Sequence, residues 1–162
     1  MTVMSTHALE ASLDGLRVVR TPVGDRHLAA AMTEHALGLG VEESGHALFA
    51  DGLPTGCGLL TGLRAISALL RTERPVSEQL AGFVPWPRAT ARVPVESRTP
   101  LSEVDSLVHA VREAEVRLDG GRTLLRYSGT EPVLRILAEG QDAAVVREVV
   151  RELERVASEA LG

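Results

Sequence analysis

The chain has no lysine and no asparagine, a single cysteine, and aromatic residues at only 2% of its length. All 17 of its basic residues are arginine. Without a lysine amine, Schiff-base and lysine-base mechanisms are excluded. A lone thiol, Cys57, excludes an internal disulfide and a cysteine-based zinc site, and it fits a reducing cytoplasm, the expected location. So few rings provide no platform on which bases could stack, and no nucleic-acid partner is expected. No apolar run approaches the roughly 20 residues a membrane helix needs, and no charged-then-apolar leader opens the chain, so no membrane partner is expected either. Net charge is -5 with arginines and acids interspersed throughout, which dictates no basic face.

What is present suits a globular protein: 162 residues at 44% apolar content, enough for one ordinary domain or two small ones with cores of Leu, Val and Ala. The run GFVPWPR over residues 82–88 carries Pro85 and Pro87 in close succession and reads as a linker. The expected division is a first domain over 1–82, a linker over 83–88 and a second domain over 89–162. In the first, Thr6 caps a short helix over 6–13 that Gly15 ends, and residues 16–20 form a strand. Asp25 caps a helix over 26–36 whose Leu28, Ala31 and Met32 share a face. Strands over 37–41 and 47–50 bracket a polar loop, and helical periodicity runs over 58–70 and again over 75–80. In the second, the pattern predicts a strand over 90–95, a helix over 101–114, paired strands over 123–127 and 133–139, and a terminal helix over 143–160. Val145, Val149, Val156 and Ala160 line one side of that last helix, with Glu148 and Arg151 opposite. This β-α-β-β-α order suits a small antiparallel sheet with helices on one face.

The most informative segment is LLRYSGTEP over residues 124–132. An apolar strand delivers Arg126 into a Ser-Gly-Thr turn, and a second apolar strand carrying Arg135 leaves it. Ser128 and Thr130 offer hydroxyls, Gly129 permits close backbone approach, and a guanidinium can hold two phosphate oxygens at once. On chemistry alone the segment reads equally well as a hairpin turn with solvated arginines.

RYSGTEP resembles the phosphate-binding loop in the C-terminal domain of the α-D-phosphohexomutases. Upstream, in the order that family requires, residues 20–26 read RTPVGDR, residues 42–46 read EESGH where the family has a GGEQSGH sugar-binding loop, and residues 2–5 read TVMS, similar to the start of the family's third domain. The resemblance implies an α/β third-domain-like unit with a mixed sheet, followed by a small α+β domain with an antiparallel sheet and helices on one face. It implies that Glu42 and Ser44 bind sugar hydroxyls, that His46 with Glu42 exchanges a proton near the reacting oxygen, and that Arg20 and Thr21 face the sugar. Arg126, Ser128, Gly129, Thr130 and Arg135 would bind the phosphate.

The sequence also departs from the family pattern. Residues 54–58 read PTGCG where TTGDG is usual, Val41 and Glu43 replace a glycine and a glutamine in the sugar loop, His7 puts an imidazole into the family's SNLGL, and Tyr127 stands for a common proline. The phosphoserine loop and the DGDxDR magnesium loop of a complete phosphohexomutase are both absent. Phosphoryl transfer needs a positioned donor and neutralising cations. The expectation is therefore a truncated relative that binds a phosphorylated sugar and performs proton transfer on it, without a cofactor or a metal. The alternatives are half of a split mutase completed by a partner chain, or a non-catalytic sugar-phosphate-binding module. A face left uncovered by the missing domains predicts self-association or a partner chain.

Overall fold

The computed structural model of the chain describes residues 1–72 and 74–162. It divides into two compact units, Met1–Pro85 and Trp86–Gly162.

The first unit contains α1 (His7–Ala11), α2 (Asp25–His35), β1 (Leu39–Val41), β2 (Ala47–Phe49), α3 (Gly58–Leu70) and α4 (Val76–Leu80). β1 and β2 pair antiparallel with Gly40 opposite Leu48. Residues 1–3 lie between β1 and residues 19–21: the Thr2 N–H donates to Val41 O at 3.3 Å, and the Val3 N–H to Thr21 O at 2.8 Å. The bridge from Thr2 to Thr21 is parallel but isolated, so the sheet itself is the antiparallel pair β1-β2 and not the expected mixed sheet. Residues 16–20 do not form the expected strand. Gly15 turns the chain at φ 74° and Leu16 is exposed, and the segment meets the N-terminus through the Met1 amino group, which donates to Val19 O at 2.8 Å. Asp25 is not the cap of α2 but its first residue. Gly24 holds the cap position at φ 125°, and the Asp25 carboxylate accepts from the Arg26 N–H at 2.7 Å.

The core of this unit is thin. Leu28 of α2, Leu48 of β2 and Ala8 of α1 are buried, and a Cβ on Gly40 would lie 2.8 Å from Met32 Sδ and 3.3 Å from Leu28 Cβ, so α2 packs closely on β1. α3 is anchored at its middle, where Arg64 pairs with Asp51 at 2.9 Å and sits 4.4 Å over the Phe49 ring. None of its residues is fully buried, and Leu59, Leu63, Ile66 and Leu70, spaced at helical repeats, are each more than half exposed.

The second unit contains β3 (Arg88–Pro94), a 3-10 turn (Leu101–Glu103), α5 (Asp105–Arg117), β4 (Arg122–Tyr127), β5 (Val133–Glu139) and α6 (Ala143–Leu161). Its sheet has the order β3-β5-β4 with both pairings antiparallel. Leu134, Ile136 and Ala138 of the central strand point into one cluster with Leu107, Ala110 and Ala114 of α5 and the apolar side of α6. Asp142 caps α6, its Oδ1 accepting from the Ala144 and Val145 N–H groups. The buried side of α6 runs through Val146, Val149, Val150, Leu153, Val156, Ala157 and Leu161, which shifts the expected stripe: Ala160 is exposed and Val145 only half-buried. Gly121 is required at the turn into β4, because a Cβ there would fall 2.3 Å from Glu139 O.

Because helices cover one face, the residues alternating with the core positions lie on the other. That face carries two charged rows. Arg88 and Arg122 flank Glu139, and Arg92 and Arg126 flank Arg135.

Candidate functional site

In the first unit, the loops at residues 20–26 and 42–46 are one construction. The Gly24 N–H donates to Glu42 Oε1 at 2.7 Å. The Ser44 hydroxyl donates to Glu42 Oε2 at 3.2 Å and lies 2.9 Å from His46 Nδ1. The turn closes through Gly45, at φ 92°, whose N–H reaches Glu42 O at 3.0 Å. The Glu42 side chain is 9% exposed and that of His46 is 60% exposed, so the carboxylate is the fixed base of the arrangement and the imidazole its solvent-facing end. A hydroxyl has one proton. Given to Glu42, it leaves Nδ1 of His46 to donate to Ser44 Oγ and Nε2 as the acceptor; given to Nδ1, it leaves the ring proton on Nε2. Residue 56 lies close to the ring, where a Cβ in place of glycine would stand 3.3 Å from His46 Cδ2.

Arg20 and Thr21 are engaged in the frame of the unit, by residues near the N-terminus and by Pro22. The Arg20 guanidinium donates to Glu10 Oε2 at 2.7 Å and to Ser5 O at 3.0 Å, and it lies 3.4 Å from His7 Nδ1. Thr21 is buried, with its hydroxyl donating to Pro22 O. His7 and Glu10 thus give the unusual imidazole near the N-terminus a structural setting. Cys57 sits half-buried at the N-cap of α3, its carbonyl accepting from the N–H and hydroxyl of Thr61. Among the described residues, no group of three or more His, Cys, Asp and Glu side chains could hold a metal ion.

In the second unit, β4 and β5 bring together the residues of the Ser-Gly-Thr turn. Arg126 and Arg135 are direct cross-strand neighbours. Ser128 is buried, its N–H donating to Val133 O at 2.9 Å and its Oγ accepting from Arg135 Nη2 at 3.2 Å. Glu131 links the strands: Oε1 accepts from Arg92 at 2.7 Å and Oε2 from Arg135 at 3.0 Å. These two guanidinia, Arg135 first, hold its carboxyl below the usual range. Arg98 donates to the Glu131 carbonyl at 3.3 Å. Arg126 is exposed and engages no group among the described residues, Arg135 Nε is buried without a partner, and no protein acceptor meets the N–H groups of Gly129, Thr130 and Glu131. Arg92, Arg98 and the pairing role of Glu131 escaped the sequence reading. Arg92 and Arg98 reach Glu131 from 39 and 33 residues away, and only the alternation of arginine with apolar residues in β3 hinted at Arg92.

Residues 1–85 match the family model for phosphoglucomutase/phosphomannomutase, alpha/beta/alpha domain III, and residues 91–156 match that for the C-terminal domain of the same family. The chain belongs to the phosphoglucomutase/phosphomannomutase family. Among its relatives are the phosphoglucosamine mutases of Solidesulfovibrio magneticus, 42% identical over 99% of this chain and 36% of that protein, and of Cereibacter sphaeroides, 44% identical over 94% and 35%. The chain therefore spans about a third of the length of the curated relatives it matches. The fold is shared with Aspergillus fumigatus N-acetylphosphoglucosamine mutase, at a TM-score of 0.83 and 18% identity over 99% of this chain and 38% of that one. A second structure of that enzyme, in complex with GlcNAc-6P and magnesium, matches at a TM-score of 0.80 and 18% identity over 100% and 38%. The phosphohexomutase chain thus carries domain III in its first unit and the C-terminal domain in its second. Among the described residues, no helix is long and apolar enough to cross a membrane.

Proposed function

We propose that this phosphohexomutase chain binds a phosphorylated hexose of the glucosamine type. Arg126, Ser128, Gly129, Thr130 and Arg135 hold the phosphate, Glu42 and Ser44 take sugar hydroxyls, and His46 exchanges a proton. The observation that carries the reading is the surplus of donors around the Ser-Gly-Thr turn, with an exposed Arg126, three backbone N–H groups and a buried Arg135 Nε all lacking protein acceptors. Charge-assisted hydrogen bonds from such donors contribute ~1.5 to 3 kcal/mol each to holding an anion. The preference for a glucosamine-type sugar is supported by the 42–44% identity to phosphoglucosamine mutases. In the first unit, Glu42 fixes Ser44, and Ser44 fixes the imidazole with Nδ1 protonated. Nε2 is then able to take a proton from a sugar hydroxyl and return it. Arg20 and Thr21 brace the first unit through the N-terminal segment, and the chemistry takes place in the cytoplasm.

A second reading is favoured by the apolar stripe on α3. Leu59, Leu63, Ile66 and Leu70 form the kind of surface on which another domain packs, and the chain spans about a third of its relatives' length. On this reading the chain is the sugar- and phosphate-binding part of a phosphoglucosamine mutase. The donor serine and the cation that phosphoryl transfer needs come from domains outside residues 1–162, or from a partner chain.

Isothermal titration with glucosamine 6-phosphate, glucosamine 1-phosphate and unphosphorylated glucosamine tests the phosphate seat. Both phosphates bind and glucosamine does not, and Arg126→Ala weakens binding at least tenfold. Equal binding of glucosamine and its phosphates would overturn the reading. Hydroxyl proton exchange followed by NMR in the bound state, and lost in His46→Gln, supports autonomous proton transfer. Exchange that persists in the variant contradicts it.

A further inference from the structure

We infer that Arg92 is a third guanidinium of the phosphate seat, and that Glu131 is a resident counter-anion occupying the seat until a phosphate displaces its carboxylate. The inference rests on the phosphate-binding reading above and adds to it a residue from a different strand and a competition built into the loop.

Arg92 on β3, Arg135 on β5 and Arg126 on β4 are direct cross-strand partners, so three arginines stand side by side on the uncovered face of the sheet. Like charges directly opposite each other destabilise a sheet. The other charged row on that face avoids this cost by placing Glu139 between Arg88 and Arg122, with Arg122 Nε bonded to Glu139 Oε2 at 3.0 Å. The row through Arg135 contains no carboxylate. Its compensation comes from Glu131 in the loop, whose two oxygens are divided between Arg92 and Arg135. The Ser128 hydroxyl completes the contact, 3.5 Å from Oε2.

A carboxylate is an incomplete occupant of this position. It is planar, has two oxygens and carries one charge. It leaves Arg126 unengaged and Arg135 Nε without an acceptor. A phosphate monoester brings three terminal oxygens and up to two charges, which matches three guanidinia and the Ser128 hydroxyl more fully. The side chains of Glu131, Arg92 and Arg135 are all at least two-fifths exposed, so solvent ions reach them and the carboxylate is able to swing out without unpacking the core. Glu131 therefore has two opposed effects. It holds the empty row together against its own repulsion, and it competes with ligand phosphate for Arg92 and Arg135.

The two effects make an uncommon prediction, that removing a charged residue from the phosphate loop tightens phosphate binding. Titration of the full chain with glucosamine 6-phosphate, at several sodium chloride concentrations, compares wild type with Glu131→Gln, Arg92→Gln and Arg126→Ala. Glu131→Gln binds several-fold to about tenfold tighter, because the competing charge is gone. Arg92→Gln binds about tenfold more weakly and with a shallower salt dependence, because one cation fewer meets the phosphate. Glu131→Asp, whose shorter side chain is unable to span both guanidinia, also binds tighter than wild type and serves if the glutamine variant is unstable. Folded Glu131→Gln and Glu131→Asp proteins that bind as wild type or more weakly would make Glu131 a loop organiser and overturn its role as a competitor. Unchanged binding in Arg92→Gln would remove Arg92 from the seat while leaving Arg126 and the parent reading intact. If neither wild type nor any variant binds, the phosphate-seat reading fails and this inference fails with it.

Discussion

The backbone N–H of Gly24 donates to Glu42 Oε1 at 2.7 Å, joining two loops that lie eighteen residues apart in sequence. Glu42 enters from the end of β1, and Gly24 occupies the N-cap position of α2, so the carboxylate is held by the start of a helix as well as by Ser44. The imidazole of His46 is the outermost member of this chain of contacts.

Gly24 is at φ 125°, a conformation that side chains rarely adopt. Gly24→Ala is expected to cost about 1 to 3 kcal/mol of stability in the first unit and to loosen Glu42. A thermal melt reads the first effect, and weaker titration by sugar phosphate reads the second. An alanine variant with wild-type melting and binding would show that the backbone bond does not position the carboxylate.

Ser44 Oγ lies 2.9 Å from His46 Nδ1, and the proposed relay from Glu42 puts the ring proton on Nδ1. Nitrogen-15 NMR of the imidazole should show the Nδ1-protonated form in wild type. In Ser44→Ala that preference is lost and the ring shifts toward the Nε2-protonated form. The same tautomer in both proteins would contradict the relay from Glu42 through Ser44.

Tyr127 is the chain's one tyrosine, so phenolate absorbance reports it alone. Its hydroxyl donates to Thr99 O at 2.6 Å, and burial pushes the phenol up from its ordinary value near 10.0. The folded state therefore holds this proton more tightly than the unfolded chain does. Its contribution to stability is complete below pH 10 and declines as pH rises through the higher folded value. A spectroscopic titration midpoint above that of the urea-unfolded chain is expected, and Tyr127→Phe should cost about 1 kcal/mol. Coincident midpoints would contradict the assignment.

Glu139 is fully buried and bonded to Arg122, whose side chain is 14% exposed. Arg122→Ala leaves a buried carboxylate without that partner and should destabilise the second unit by about 3 to 5 kcal/mol. Urea unfolding measures this, and a change below about 1 kcal/mol would show that Arg88, across from Glu139 on β3, takes over.

The apolar stripe of α3 predicts association at high concentration. Sedimentation of the wild type should show a species larger than the monomer, and Leu63→Glu with Ile66→Glu should abolish it without loss of helicity, since both side chains are more than half exposed. A strictly monomeric wild type would mean that the stripe does not pair with a second copy.

Elements with a strong local signal were legible in the sequence. α3 and β5 have the predicted limits because helical spacing in one, and a mostly apolar run set between Pro132 and Gly140 in the other, bound them on both sides. The segment at 16–20 failed because alternation without a burying partner does not make a strand, and the α6 stripe was misassigned at Ala160 because its inner face is set by where β3 and β5 lie. In the candidate site, the motif residues could be named, but the links between them could not. Neither the bond from Gly24 to Glu42 nor the alignment of Arg92 with Arg135 and Arg126 is written in any local window. The first depends on how a helix start meets a strand end, and the second on a register between strands some forty residues apart.

The central claim is that the turn between β4 and β5 is where a phosphate binds. The most direct test is a titration of the isotopically labelled chain with glucosamine 6-phosphate, followed through backbone amide resonances. The account predicts the largest shifts at Gly129, Thr130 and Glu131, together with the side-chain signals of Arg92, Arg126 and Arg135. Saturable shifts confined to other parts of the chain, with these resonances unmoved, would contradict it.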